Sequence, residues 1–399
     1  MASIYRDSRG YYVAAVELPP DAAGNRRRKY IRRKSKTELR AALDEVQAEV
    51  RLTGDVRTSS PTVEAWAVYW LADVAAKTRR PKTFTSYRSI IENHVIPAIG
   101  TVRIDKVTPV LIRQVLARME KAGLSSTYRR NTHAVMAAMF ADAERDEKIR
   151  RNPTDLVLRP RRAAVDLEVL SVAEAQRLLN TFEQSPNAFM WATFILTGAR
   201  RGEVIGIEWD RVDEDLDLSW QLQRIEYAHG CRGRCGEPRP SQCPKRRFDV
   251  PDGYEHRRLH GGLHLTRPKS RAGWRTIPLV DPLRSILTTW RETAPENPWG
   301  LAFTAEYRGA ITPLDPDQAT SMWNATRDAA GITRPVRLHD LRHTTVDILD
   351  AAGVDMDTIK DIVGHSTRAM SREYRSKANR ERIRQAMLDM SASLGYEAA

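Results

Sequence analysis

The sequence predicts a multidomain α+β protein, in which a small β-sheet and helix precede a four-helix domain and a mainly helical third domain with a β-hairpin sheet. Three observations support this fold class. The 399 residues exceed an ordinary single domain. Strand-like and helix-like hydrophobic patterns occur in separate segments. Linker-like stretches at residues 54–61 and 160–165 divide the chain into expected domains 1–55, 60–160 and 165–399.

The charge balance indicates a polyanionic partner. The net charge is +13, so binding to an extended polyanion should weaken as salt rises. The sequence has no apolar run of roughly 18 residues that would predict a membrane span, and its first residues do not form a signal peptide. Its three cysteines do not indicate an extracellular disulfide framework. We therefore expect a cytoplasmic protein, associated with the bacterial nucleoid.

The first domain is predicted to combine two strands and a helix. Residues 10–18 are rich in aromatic and β-branched residues, and residues 36–50 follow a helical pattern. Between them, residues 26–34 hold seven basic residues around Tyr30 and Ile31. A sheet that carries such a strand can lie in a DNA groove. The candidate DNA contacts of this domain are Arg26, Arg27, Arg28, Lys29, Arg32 and Arg33.

The second domain is predicted to be helical. Apolar residues recur with helical spacing from Val63 to Val74, and further helices are expected at about 84–95, 109–121 and 126–147. The methionine and aromatic stripe of the last helix should be core. Basic residues at helix starts, on polar faces and in the following linker suit phosphate contacts. These candidates are Arg79, Arg80, Lys82, Arg88, Arg129, Arg130, Arg161 and Arg162.

Arg200 is the first candidate cation of a phosphate site. Residues 188–196 are apolar nearly all round and predict a buried helix, which Thr197-Gly198 should end. Arg200 then emerges from a rigid element at the edge of a loop. Glu203 follows three residues later.

A second cation is expected in a hairpin. The strand-like runs at residues 263–266 and 274–279 flank Lys269, and they predict a hairpin with this lysine near its tip. A flexible ammonium group on a hairpin can reach a leaving oxygen and give up a proton to it.

The last part of the chain adds histidines, an arginine and a tyrosine. His339 and Arg342 are one helical turn apart and should point the same way, whereas His343 is expected to face elsewhere and to pack. A glycine should end the helix before His365 and so fix its position. Tyr374 lies a short step further along the chain.

A tyrosine hydroxyl is a weak nucleophile unless neighbouring groups assist its attack. Its free pKa is about 10, so cations must stabilise the charge that develops on the phosphate oxygens during its attack. Guanidinium groups suit this task because their planar donors match phosphate geometry. The ordered set of Arg, Lys, His-x-x-Arg, His and Tyr therefore indicates cleavage of a DNA strand by a tyrosine.

This ordered set resembles the tyrosine recombinases and, within them, the phage-type integrases. The resemblance covers nearly the whole chain, and it is most specific in the Thr-Gly-x-Arg, His-x-x-Arg and Gly-His motifs that end at Arg200, Arg342 and His365. It implies that the two arginines hold the phosphate and that both histidines contact it. Glu203 matches the acidic residue that often follows the first arginine in the family, so the resemblance implies that its carboxylate orients Arg200 or an adjacent histidine rather than acting on the DNA. It also implies that Lys269 protonates the departing 5′ oxygen and that Tyr374 forms a 3′-phosphotyrosyl bond.

The resemblance further implies an architecture and a set of partners. The expected parts are an arm-binding N-terminal domain, a SAM-like core-binding domain and a catalytic domain with the DNA breaking-rejoining fold. The expected substrate is double-stranded DNA at attachment sites, held by a homotetramer on two sites, with a DNA-bending host factor and an excisionase as further partners. Catalysis should need neither metal nor ATP. The sequence leaves open whether the last helix, at about 378–390, docks on a neighbouring subunit or packs against its own subunit.

A cluster of cysteines is not part of the family pattern described above. Cys231, Cys235 and Cys243 lie in an insertion-like stretch at about 227–260, with His229, His256, His260 and His264 nearby. Clustered cysteines with a histidine suggest a structural zinc site. The spacing Cys-x3-Cys-x7-Cys fits no standard zinc finger, so free thiols in a basic loop stay an alternative.

Three other functions stay open at this point. A type IB topoisomerase-like enzyme also uses Arg, Lys, His and Tyr, but it relaxes DNA without exchanging partners. A non-catalytic DNA-binding or excision-accessory protein would not need the complete catalytic set. A recombinase that resolves chromosome dimers usually lacks the N-terminal arm domain. The favoured function is the integration and excision of a mobile element such as a phage or an integrative plasmid.

Overall fold

The computed structural model describes residues 4–20, 25–53, 60–163, 168–180, 187–231, 234–268, 273–364 and 377–396. The chain divides into two compact units. The first combines residues 1–70 and 89–161, and the second combines residues 71–88 and 162–399. Residues 71–88, expected from the sequence in the helical domain, are therefore grouped with the C-terminal part of the chain.

The first unit begins with an antiparallel sheet. Strands β1 (Ile4–Arg6), β2 (Tyr12–Leu18) and β3 (Arg27–Arg33) form it in the order β1-β2-β3, followed by helix α1 (Lys36–Thr53). Leu39 of α1 packs against the core side of the sheet, which includes Ile31. The predicted strand, basic strand and helix are confirmed.

Alternation along β3 separates a core face from an open face. Because successive side chains of a strand point to opposite sides, Ile31 is buried against α1 while Arg28, Tyr30 and Arg32 are exposed. Tyr5 of the edge strand is also exposed, at 52%, and Tyr30 is 61% exposed. The open face of the sheet therefore combines basic and aromatic side chains.

The helical segment contains six α-helices, whose bounds are α2 (Val63–Tyr69), α3 (Ala76–Thr78), α4 (Pro81–Ile90), α5 (Ile96–Ile99), α6 (Pro109–Lys121) and α7 (Ser126–Arg145). π-helical turns at Trp70–Ala75 and Ile91–Val95 interrupt the first two predicted helices. Met136, Met139 and Phe140 of α7 are fully buried, so the predicted core stripe is confirmed.

The second unit contains a helical core. Its helices are α8 (Val172–Asn180), α9 (Asn187–Thr197), α10 (Arg201–Val204), α11 (Leu283–Thr293), α12 (Pro316–Ala329), α13 (Leu341–Ala351), α14 (Met356–Val363) and α15 (Lys377–Ser393). Nearly every residue of α9 is buried, and this helix contacts α8, α11 and α13. The buried helix predicted from the apolar run is confirmed. Among the described helices of the chain, none has the length and apolarity needed to cross a bilayer.

Short strands accompany these helices. They are β4 (Asp215–Asp217), β5 (Gln221–Arg224), β6 (Tyr227–His229), β7 (Arg246–Phe248), β8 (His256–His260), β9 (Leu263–Thr266), β10 (Thr276–Pro278), β11 (Thr304–Tyr307) and β12 (Ala310–Pro313). β5, β9 and β8 form a three-stranded antiparallel sheet in that order. The pairs β4–β10, β6–β7 and β11–β12 form two-stranded sheets.

The predicted hairpin between residues 263–266 and 274–279 is wrong. β9 pairs with β5 and β8, whereas β10 pairs with β4 in a different sheet. The true hairpin partner of β9 is β8, across the turn at Gly261-Gly262, where Gly261 has a positive φ of 53°. Such a glycine pair suits a tight hairpin turn. The prediction failed because residues 256–260, which form β8, were assigned to the insertion and not to a strand.

The last helix packs on its own chain. Ile383, Met387 and Met390 of α15 are buried in the same core as α9 and α13. Arg382 donates to the Asp361 carboxylate of α14 at 2.9 Å. In this single chain, α15 therefore covers part of the core of the second unit.

Candidate active site

Gly198 allows the end of α9 to contact α13 and α14, two residues before Arg200. Its φ is +56°, and a Cβ at this position would lie 2.9 Å from Cγ1 of Val363 and 3.2 Å from Cβ of Thr345. A side chain would therefore strain the backbone and also push α9 away from α13 and α14. The absence of a side chain brings the end of α9 against both helices.

The Arg200 guanidinium is held at two points. Its NH1 group donates to Oε1 of Glu203 at 2.8 Å, and its NH2 group donates to the carbonyl of Gly364 at 2.8 Å. The side chain is still 36% exposed. Arg200 is therefore fixed in direction yet accessible to an anion.

Glu203 is the buried anion of this network. Its Oε2 atom accepts from the backbone N–H of Arg200 at 2.9 Å and from the guanidinium of Arg275 at 3.0 Å. Burial raises the pKa of Glu203, but Arg275 and Arg200 outweigh this effect and hold the pKa below its usual value. The carboxylate is therefore ionised at neutral pH, and the expected contact between Glu203 and Arg200 is present.

Arg275 is a network member that sequence analysis missed. It lies just before β10, its side chain is only 7% exposed, and its Nε atom donates to the carbonyl of Ile362 at 2.6 Å. Burial lowers the pKa of Arg275, and Glu203 opposes this shift. An arginine beside a short strand looks like a surface residue in the sequence, and no local pattern predicts its burial.

Arg342 adds a third guanidinium. It lies on α13, is buried, and donates through NH1 to the carbonyl of Gly198 at 2.8 Å. Burial, followed by Arg200 and Arg275, lowers the pKa of Arg342 to about 9, so the group is still charged at neutral pH. Three guanidinium groups thus face one carboxylate in this network. A bound anion such as a phosphate would relieve their repulsion.

His339 lies beside these arginines. It occupies a 3-10 turn, Leu338–Asp340, and the Asp340 carboxylate fixes the turn by accepting from the backbone N–H of Arg337 at 2.9 Å. Burial, His343 and Arg342 lower the pKa of His339. The imidazole is therefore neutral at pH 7 and able to accept a proton.

The prediction that His343 faces elsewhere is wrong. The rings of His339 and His343 pack edge to face with centroids 5.8 Å apart. Residues four apart in a helical segment share a face, and that rule would have placed the two rings together.

Three predicted site residues, Lys269, His365 and Tyr374, lie outside the described residues. The structure does show where the neighbouring chain lies. A Cβ at Gly273 would lie 3.8 Å from NH1 of Arg200, and Gly364 ends α14 with a φ of 71°. Because Arg200 also bonds to the Gly364 carbonyl, it adjoins both Gly273 and the residue that precedes His365.

Several predicted DNA contacts have protein partners. Arg80 donates to the carbonyl of Arg267 at 3.2 Å, and Arg88 pairs with Glu226. The other engaged residues pair as follows: Arg79 with the Tyr87 ring, Arg129 with Glu120, Arg130 with the Pro160 carbonyl, Arg26 and Arg28 with Glu17, and Arg32 with Asp7. Lys82, Arg161 and Arg162 are exposed.

The predicted cysteine cluster comes together with one histidine. The ligand atoms of His229, Cys231, Cys235 and Cys243 all lie within 4.8 Å of one another. The sequence offered four histidines as the fourth member, and in the described part of the chain only His229 completes the group. His264, by contrast, is buried on β9, where its Nδ1 atom lies 3.0 Å from the Gly262 carbonyl.

The buried Glu203 predicts a large loss of stability when its charge is removed. Glu203→Gln should lower the free energy of unfolding by about 3–5 kcal/mol, because Arg275 would stay buried without its countercharge. Chemical denaturation measures this loss, and the dependence of the unfolding free energy on denaturant concentration should be the same in the variant and in the unchanged chain.

Glu174→Gln is the matched control. Glu174 also accepts from an arginine, Arg334, at 2.8 Å, but this arginine is 41% exposed. A glutamine preserves the capping contact to Ser171, so the cost should be about 1 kcal/mol or less. Equal losses in the two variants would contradict the central role of Glu203.

Two family models match the chain. The model described as "Phage integrase family" matches residues 256–381, and the model described as "Phage integrase, N-terminal SAM-like domain" matches residues 62–119. The first match begins at β8, and the second covers the beginning of the helical segment.

Curated relatives match over most of the chain. An integrase of Saccharopolyspora erythraea is 29% identical, over 94% of this chain and 92% of its own length. The ICEBs1 integrase of Bacillus subtilis is 24% identical over 84% of this chain and 83% of its own. A XerC-like tyrosine recombinase of Caldanaerobacter subterraneus is 21% identical over 90% of both chains.

Solved structures share the fold. The Tn1549 transposon integrase in complex with a circular intermediate DNA has a TM-score of 0.60 at 17% identity, covering 85% of this chain and 96% of its own. A lambda integrase tetramer bound to a Holliday junction has a TM-score of 0.55 at 15% identity, covering 92% and 93%. The topoisomerase and accessory alternatives find no support among these relatives. The chain belongs to the phage integrase family of tyrosine recombinases, and it is a site-specific DNA recombinase.

Proposed function

We propose that this recombinase integrates and excises a mobile element by means of the catalytic set Arg200, Lys269, His339, Arg342, His365 and Tyr374. The observation that supports this set most strongly is the network in which Glu203 holds Arg200 beside the buried Arg342. Two guanidinium groups held in one network offer planar donors that suit the two non-bridging oxygens of a phosphodiester.

The proposed reaction is a transesterification. The Tyr374 oxygen attacks phosphorus, the bond from phosphorus to the 5′ oxygen breaks, and a 3′-phosphotyrosine forms with a free 5′ hydroxyl. Neutral His339 is the proposed acceptor of the Tyr374 proton, and Lys269 the donor of a proton to the 5′ oxygen. Arg200 and Arg342 stabilise the charge on the non-bridging oxygens, with His365 as a further donor.

Strand exchange repeats this step on two duplexes. A 5′ hydroxyl from the partner strand attacks the phosphotyrosine, which restores a phosphodiester and releases Tyr374. The covalent link conserves the bond energy, so the proposed reaction needs no ATP, and the fixed cations replace a metal. Two strands on each of two duplexes require four active sites. We therefore propose a homotetramer, as in the lambda integrase tetramer bound to a Holliday junction.

The three expected domains are part of the proposal. Residues 1–55 would bind accessory arm sites, residues 60–160 would hold the core site, and residues 165–399 would cleave it, in the cytoplasm at the nucleoid. A host DNA-bending factor and an excisionase are the proposed further partners.

Tyr374→Phe tests the function directly. The variant should bind a core site normally but form no covalent protein–DNA adduct on a nicked suicide substrate, because the ring is kept and only the attacking oxygen is lost. Denaturing gel electrophoresis detects the adduct. The matched control is Tyr307→Phe, at a 61% exposed tyrosine on β11, which should form the adduct like the unchanged chain. An adduct that persists in Tyr374→Phe would assign another nucleophile.

Lys269→Ala tests the general acid. Cleavage should fall by about 10²–10⁴-fold, the range for a lost proton donor. A substrate with sulfur at the bridging 5′ position has a leaving group that needs no proton, so this substrate should restore most of the cleavage. Arg200→Ala should not recover, because its charge acts on the non-bridging oxygens. Equal rescue of both variants, or of neither, would make Lys269 a positioning residue.

The open face of the N-terminal sheet predicts the arm-site contacts. The double variant Arg28→Ala/Arg32→Ala removes two positive charges from this face and should weaken arm-site binding. It should also reduce the slope of the logarithm of the binding constant against the logarithm of the salt concentration by about two. The control pair, Arg40→Ala and Arg51→Ala, removes the same charge from α1 and should leave binding nearly unchanged. Fluorescence anisotropy at several salt concentrations measures both. Equal losses in the two pairs would indicate a nonspecific charge effect and no defined interface.

A further inference from the structure

We infer that His229, Cys231, Cys235 and Cys243 bind one Zn²⁺ ion, and that this ion fixes the β6–β7 hairpin against β9, the strand that leads to Lys269. The metal site is independent of the proposed function. Its effect on cleavage rests on the proposed role of Lys269.

The ligand spacing fits a tetrahedral ion. The Nδ1 atom of His229 lies 3.4 Å from Sγ of Cys235 and 3.8 Å from Sγ of Cys231. An ion with Zn–S and Zn–N bonds of about 2.3 and 2.0 Å places sulfur and nitrogen about 3.5 Å apart in a tetrahedron. Cys243 completes the group, and its side chain is fully buried.

The ligand chemistry favours zinc. Three thiolates and an imidazole form the Cys3His set of structural zinc sites, whereas calcium and magnesium prefer oxygen ligands. All three cysteines are free in the structure, and an odd number of thiols around one histidine cannot be satisfied by disulfides alone. With three thiolates the occupied site carries a net charge of −1. Arg234 and Lys245 line the same depression and offset this charge.

The backbone is shaped to present these ligands. The N–H of Arg234 donates to the Cys231 carbonyl at 3.3 Å, and the N–H of Arg246 donates to the Cys243 carbonyl at 3.0 Å. The second bond closes a tight turn that begins at Cys243. A Cβ at Gly230 would lie 2.0 Å from the Lys245 carbonyl oxygen, so only a glycine lets the two ligand-bearing segments approach this closely.

The backbone pairing of the hairpin is short. β6 and β7 pair over three residues each, and an isolated two-stranded hairpin is only marginally stable in water. A structural metal supplies folding free energy directly because the unfolded chain has no preformed site. Zinc binding and hairpin formation should therefore occur together.

Aromatic contacts join the hairpin to β9. The rings of Tyr227 and Phe248, a cross-strand pair, stack with centroids 4.5 Å apart. Phe248 then meets the buried ring of His264, on β9, edge to face at 4.4 Å. β9 ends at Thr266, shortly before Lys269. An ordered hairpin thus supports one side of the strand from which the lysine segment departs.

Metal analysis of the full-length protein tests the site. Purified protein should contain about one zinc per chain, and replacement by Co²⁺ should give the strong visible absorption of a tetrahedral thiolate complex. Cys243→Ser and His229→Asn should lose both signals. His260→Asn is the matched control, because this exposed histidine lies nearby on β8 but outside the group, and it should keep both.

Two results would overturn the site. One is native protein without zinc whose three thiols all react freely. The other is zinc retained in both Cys243→Ser and His229→Asn. Iron in place of zinc in freshly purified protein would also contradict the assigned metal.

Hydrogen exchange and the bridging-sulfur substrate test the link to Lys269. Cys243→Ser should exchange faster in β6, β7 and β9 while the protection of α9 is unchanged, which shows that the unit is still folded. Its cleavage of an ordinary substrate should fall at least tenfold and should recover on the substrate with a bridging 5′ sulfur. If Cys243→Ser lost cleavage equally on both substrates, the proposed effect of the metal on Lys269 would be overturned. Unchanged cleavage together with unchanged hydrogen-exchange protection of β9 would also overturn it. The adduct formed by the unchanged chain shows separately whether the proposed function holds.

Discussion

The active site depends on one buried carboxylate. Glu203 accepts hydrogen bonds from Arg200 and Arg275, and its side chain has no exposed surface. Two guanidinium groups this close repel each other unless an anion lies between them. Glu203 therefore makes a rigid cationic site possible in a protein interior, and it leaves the Arg200 guanidinium partly exposed for a substrate.

The same network joins segments that are far apart in sequence. Arg275 donates to the carbonyl of Ile362, and Arg200 donates to the carbonyl of Gly364. Both carbonyls lie at the C-terminal end of α14, where backbone acceptors have no partner within the helix and the helix dipole attracts cations. The helix end thus holds both arginines in place, and the arginines fix the point from which the chain continues to His365.

Local patterns predicted the parts of this site but not their connections. The buried α9 and its end at Thr197-Gly198 follow from hydrophobicity and helix-stop signals. The expected contact from Glu203 to Arg200 came from the family resemblance. The wrong hairpin partner was assigned to β9 because residues 256–260, which form the adjacent strand β8, were taken as part of the insertion. The second partner of β9, β5, is distant in sequence and could not be predicted from a local pattern. The burial of Arg275 and the selection of His229 among four histidines also depend on distant contacts. His343 is different, because the four-residue helical spacing was present in the sequence.

In the proposed mechanism, the imbalance of charge in the free site has a catalytic consequence. Arg342 is buried beside Arg200 and Arg275, and its pKa is lowered to about 9 because burial and both neighbours oppose its charge. A phosphodiester relieves this repulsion, and the transition state, which carries more charge on its non-bridging oxygens, relieves it further. Groups that destabilise the free protein therefore favour the transition state over the bound substrate. This relation explains why the site keeps three arginines around a single carboxylate, although a balanced pair would be more stable.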